Sequence, residues 1–65
     1  MEKVSVNIDG HQTSFSLEVE FLEALRAIAK NESKSLKKLV SEIDASRGGR
    51  NLSSAIRVFI LKNLA

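Results

Sequence analysis

Val4-Ser5-Val6-Asn7-Ile8-Asp9-Gly10-His11-Gln12-Thr13-Ser14-Phe15-Ser16-Leu17 is the stretch that decides the reading of this chain. Val4, Val6 and Ile8 alternate with Ser5 and Asn7, and Thr13, Phe15 and Leu17 alternate with Gln12, Ser14 and Ser16. Period-two alternation is the mark of a strand with one covered face. Between the two runs stands Asp9-Gly10, a dipeptide suited to a two-residue hairpin turn because both central positions need positive φ. The turn fixes the register. A two-residue turn pairs Ile8 with His11, Val6 with Thr13 and Val4 with Phe15, so the apolar residues share one face and Ser5, Asn7, Gln12, Ser14 and Ser16 share the other. Residues 3–17 therefore read as a β-hairpin, with His11 packed beside Ile8.

Outward from the hairpin the period changes from two to that of a helix. Phe21, Leu22, Leu25, Ile28 and Ala29 form one stripe over residues 18–32. Glu18, Glu20 and Glu23 sit near its start, where the helix dipole favours anions. Ser33 to Ser35 make a short turn. Ser35 is a good N-cap for a second helix over 36–46, whose apolar positions Leu36, Leu39, Val40 and Ile43 follow at helical spacing. Gly48-Gly49 is the stop. Asn51 caps a third helix over 52–64, with Leu52, Ile56, Phe59, Ile60 and Leu64 as its main stripe. Val58 and Leu61 extend its apolar character almost all round. Such a helix in a small protein wants cover on two sides, which implies a partner subunit. The fold class is α+β: a hairpin, then three helices, in one domain over 1–65.

Size points the same way. A domain of 65 residues buries only about 60% of the surface its unfolded chain exposes. There is no cysteine to staple it, and the single histidine has no partner cluster for a metal. Oligomerisation is the remaining route to a sufficient core. No run approaches the length of a signal peptide's apolar region or the ~20 apolar residues of a membrane span, so the expectation is a cytoplasmic chain. One histidine in a turn and no glycine-rich phosphate loop suggest neither an enzyme nor a bound cofactor.

The net charge of +2 hides an asymmetry: residues 1–23 carry −4 and residues 24–65 carry +6. This points to a polyanionic partner, although solvated lysines on helix backs would give the same pattern. Lys34, Lys37 and Lys38 cluster at the start of the second helix, where cations oppose the dipole. A bound anion would resolve that conflict, since the helix start supplies free N–H groups; a solubility patch is the alternative. Arg47 and Arg50 flank the glycines, either as further phosphate contacts or as solvated side chains.

The runs Gly10-His11, Thr13 to Glu18, Glu20-Phe21, Glu23-Ala24-Leu25, Leu39-Val40, Glu42-Ile43-Asp44, Asn51 to Ala55 and Arg57-Val58-Phe59, in this order and spacing, resemble the ribbon-helix-helix superfamily, the group of the Arc and Met repressors. The closer likeness is to short bacterial proteins with such a domain and an extra C-terminal helix. The resemblance implies an intertwined homodimer in which two copies of the strand around Phe15 pair antiparallel, with Phe15, Leu17, Leu39, Ile43, Phe59 and Ile60 in the dimer core. It implies that the ribbon enters the major groove of double-stranded DNA. Ser14 and Ser16, with Gln12 before them, would then read base edges, and Lys34, Ser35, Leu36, Lys37 and Lys38 would clamp a phosphate. The function so implied is sequence-specific DNA binding by a transcriptional regulator. Glu18 is out of keeping with nearby phosphates unless it is tied up at the start of the first helix.

The hairpin complicates this. A dimer with strand order 1-2-2′-1′, at about 4.8 Å per strand, sets its outer strand axes roughly 14 Å apart, whereas the major groove is about 12 Å wide and takes a two-stranded ribbon. Either the first strand detaches, or recognition is shallower, or the chain serves as a dimeric protein-interaction module, antitoxin-like or an adaptor, that docks a partner protein.

Overall fold

The computed structural model describes residues 1–64; Ala65, the last residue of the expected domain, lies outside the described residues. Strand β1 (Glu2–Ile8) pairs antiparallel with β2 (His11–Leu17), and three helices follow: α1 (Val19–Asn31), α2 (Leu36–Ser46) and α3 (Leu52–Asn63). An antiparallel ribbon followed by three helices is the α+β architecture the patterns call for.

The hairpin register matches Ile8 with His11, Val6 with Thr13 and Val4 with Phe15. Its turn has φ of +50° at Asp9 and +82° at Gly10, the two positive values of the turn that matches strand twist. The side-chain oxygen of Asn7 accepts from the Gly10 N–H at 3.1 Å and closes the loop. Ile8, Phe15 and Leu17 are buried, and Val4 and Val6 pack against them. His11 shares their face by register but is exposed. It sits beside the turn and stays open to solvent, where its place next to Ile8 had suggested cover.

α1 buries Leu22, Leu25 and Ala29. Its end is a Schellman arrangement: the Lys34 N–H donates to the Ala29 carbonyl at 2.9 Å, around Ser33 at φ +56°. α2 starts where the Ser35 hydroxyl accepts from the Lys38 N–H, and buries Leu39, Val40 and Ile43. α3 starts where the Asn51 side chain accepts from the Ser54 N–H, and buries Leu52, Ala55, Ile56 and Ile60. β1 packs on α2, while β2 packs on α3 and α1.

Every fully buried side chain among the described residues is apolar. Of the residues expected in a dimer core, Phe15, Leu17, Leu39, Ile43 and Ile60 are buried within the single chain and Phe59 is half-buried. The large apolar side chains left exposed among the described residues are Met1, Val19 at the start of α1, and Leu61 and Leu64 at the C-terminal end of α3, the last two 67% and 76% exposed. No helix of the described residues is long and apolar enough to cross a membrane.

Candidate nucleic-acid interface

Strand alternation sends Gln12, Ser14 and Ser16 of β2 to the outer face of the ribbon; Gln12 and Ser14 are exposed and Ser16 is half-buried. The register extends this face onto β1, where Lys3, Ser5 and Asn7 stand opposite Ser16, Ser14 and Gln12. Lys3 is thus a cation on the candidate reading surface. The alternation that places Ser5 and Asn7 on this face reaches Lys3 one step further along β1.

Glu18, the acid out of place, is occupied. Its Oε1 accepts from Arg57 Nε at 3.1 Å and Nη2 at 2.9 Å. A backbone hydrogen bond at Glu18, then Arg57, holds this carboxyl below the usual carboxylate range. Arg57 also lies over the Phe21 ring, 5.7 Å from its centroid, a cation–π geometry. The guanidinium therefore joins α3 to the junction of β2 and α1 and answers the charge of Glu18.

The lysine cluster divides. Lys34 Nζ lies 2.7 Å from Glu42 and 3.0 Å from Glu32. Glu42 first, then Glu32, raises the Lys34 pKa, and Lys34 lowers that of Glu42. Lys34 thus staples the end of α1 to α2, with its charge already answered. Lys37 and Lys38 are exposed, and neither forms an ion pair among the described residues. The Ser35 hydroxyl is committed to the Lys38 N–H at 3.0 Å. The N–H groups of Leu36 and Lys37, the first two positions of α2, have no protein acceptor by helix geometry. Two free N–H groups beside two unpaired lysines can hold an anion. Leu36 contributes only its backbone, since its side chain packs against the core.

Arg47 and Arg50 stand elsewhere. Arg47 is the C-cap of α2, roughly 15 Å along the axis from Lys37 at 1.5 Å per residue. Its Nε pairs with Asp44 at 2.9 Å and its Nη1 donates to the Arg50 carbonyl at 3.0 Å. Both arginines, with Lys62, rim a shallow cleft of about 130 Å³ floored by Ile43, Ala55, Val58 and Phe59. The structure therefore brings the ribbon face, Lys3 included, into one surface, and sets the second basic group at the opposite end of α2 from the first.

The family model described as "Ribbon-helix-helix domain" matches residues 1–64. No curated protein and no solved structure matches the chain.

Proposed function

Because the chain belongs to the ribbon-helix-helix domain family, whose members generally bind DNA as transcription regulators or antitoxins, we propose that it is a homodimeric, sequence-specific DNA-binding protein and a transcriptional regulator. The ribbon reads bases through Gln12, Ser14 and Ser16. The start of α2 grips a phosphate through the N–H groups of Leu36 and Lys37 and the ammonium groups of Lys37 and Lys38. Ser35 holds that turn in shape, and Lys34 braces it.

The observation that carries this reading is the division of charge. Glu18 and Lys34 are answered by ion pairs within the chain, while among the described residues Lys37 and Lys38 form none beside unpaired helix N–H groups, Lys38 acting on Glu42 only at longer range. Glutamine suits a bidentate contact to adenine, and serine donates or accepts at several bases. Arg47 and Arg50 stand outside this grip, at the far end of α2.

Binding to duplex DNA, followed by fluorescence anisotropy over a series of salt concentrations, tests the proposal. Each neutralised phosphate releases condensed counterion, so affinity should fall steeply with salt. Lys37→Ala with Lys38→Ala should weaken binding to every duplex and flatten the slope by about 0.9 for each phosphate left without its cation. Gln12→Ala with Ser14→Ala should alter sequence preference, by about 1–3 kcal/mol per well-made bidentate pair. Absence of binding to any duplex at low salt overturns the reading.

One observation favours a second reading. β1 is paired along its whole length, from Glu2 opposite Leu17 to Ile8 opposite His11, and a four-stranded dimer sheet about 14 Å across is wider than the groove. A dimeric module that docks a partner protein, as an adaptor or an antitoxin-like chain, has no groove to enter and accepts this ribbon as it stands.

A further inference from the structure

β1 widens the ribbon of a dimer, and the width decides where its side chains fall. In the strand order 1-2-2′-1′, with strands about 4.8 Å apart, the axes of β2 lie about 2.4 Å from the two-fold axis and those of β1 about 7 Å from it. The major groove is about 12 Å wide, so its edges stand roughly 6 Å from its midline. A sheet centred on the groove, with its strands running along it, therefore sets β2 over the base edges and β1 over the two sugar-phosphate walls. Such a sheet is too wide to sink in and wide enough to straddle.

The side chains that β1 presents there suit phosphate. Alternation and register put Lys3, Ser5 and Asn7 on the outer face, opposite Ser16, Ser14 and Gln12, and all three are exposed. They follow one another at about 6.8 Å and run along about 14 Å of the edge. Phosphate oxygens accept hydrogen bonds, and each of these side chains can donate. The Asn7 amide is oriented for it: Oδ1 accepts from the Gly10 N–H at 3.1 Å, which leaves Nδ2 turned to other partners. Lys3 forms no ion pair among the described residues. No carboxylate of the hairpin strands shares this face. Glu2, opposite Leu17, falls on the other side with Val4, Val6 and Ile8. Asp9 stands in the turn, and Glu18, next after β2, is paired with Arg57. Water accepts either sign of charge on a strand face; a phosphate wall accepts one.

We infer that β1 is a phosphate rail: it stays paired with β2 in the complex, and Lys3, Ser5 and Asn7 of each chain hold the backbone of one DNA strand while β2 reads the bases between. This rests on the DNA-binding reading above. It assigns β1 a ligand, the phosphodiester backbone, and an effect, grip without sequence preference.

Titrations with duplexes of differing sequence over a salt series test this on Lys3→Ala, Asn7→Asp and the control Lys62→Ala, with thermal midpoints checking the fold. Lys3→Ala should weaken binding to every duplex alike and flatten the salt slope by about 0.9 for each phosphate released, one on each chain. Lys62→Ala removes the same charge far from the ribbon and should leave the slope as it is. Asn7→Asp keeps the acceptor of the Gly10 N–H but sets an anion against phosphate, and should cost roughly tenfold in affinity at low salt. Hydrogen exchange in the complex should find the amides of Val4, Val6 and Ile8 still protected. A Lys3→Ala slope no flatter than that of Lys62→Ala overturns the inference, as does an Asn7→Asp variant of native midpoint and wild-type affinity. If Asn7→Asp lowers the midpoint, the Lys3→Ala slope and the exchange data decide. Loss of protection at Val4, Val6 and Ile8 on binding also overturns it, since β1 would then detach to admit a two-stranded ribbon. In each of these cases the wild type still binds DNA and the reading above survives. A wild type that binds no duplex at low salt brings down that reading and the rail with it, in favour of a protein partner.

Discussion

Gly10 holds φ +82° at the second central position of the hairpin turn, with Asp9 at +50° before it. Asp tolerates this left-handed region through its short polar side chain, and glycine enters it freely. A β-branched residue does not. Gly10→Val should destabilise the protein by about 1–2 kcal/mol, and nearby steric relief cannot help, because the space around the missing side chain is already open. The strain is in the backbone. Amide exchange at residues 4, 6 and 8 should quicken while the interior of α1 keeps its protection; unchanged exchange along β1 would contradict the turn's role. This part of the fold was legible because turn chemistry and strand alternation are both local. The partners of the charges were not. Glu18 meets Arg57 from 39 positions away, and Lys34 meets Glu42 across the α1–α2 turn. Proximity in sequence groups Lys34 with Lys37 and Lys38, and only packing separates the neutralised lysine from the free ones.

Among the elements, the caps written in short polar residues were legible. Ser35 and Asn51 each accept from the N–H three positions on, and Gly48 at positive φ follows α2. The end of α1 was less so. Ser33 occupies the left-handed position of a Schellman turn, at φ +56°, where glycine or asparagine is the usual choice. Serine gives no sequence signal for that role, and the segment reads only as a turn. Ser33→Gly should relieve about 1–2 kcal/mol of left-handed strain, offset by the greater freedom glycine has in the unfolded chain, about 0.5–1 kcal/mol. The net expectation is a modest rise in the thermal midpoint with no change in helix content. A lowered midpoint would mean that the serine contributes something its geometry does not reveal. Lys34 adds an ion pair across the same turn, but the buried side chains of α1 and α2 in the common core hold the two helices together, since an exposed pair contributes little.

For the whole molecule, the apolar positions are legible as a core, but the boundary of the core is a matter of tertiary packing. Phe15, Leu17, Leu39, Ile43 and Ile60 share one core within one chain, because β1 packs on α2 and β2 on α3 and α1. Periodicity identifies which face of each element is apolar and does not say whose apolar face it meets. α3, apolar nearly all round, is the element for which this matters, and its uncovered side is where a second copy has most to bury. The DNA-binding surface proposed for the molecule joins the outer face of the ribbon to the start of α2. The most direct measurement is a titration of the isotope-labelled protein with duplex DNA, followed by backbone amide shifts. The amides expected to shift are those of Gln12, Ser14 and Ser16 and of Ser35 to Lys38, with the Arg47–Arg50 segment little changed. Perturbation confined to the Arg47–Arg50 cleft and the exposed side of α3, with the ribbon silent, would contradict it.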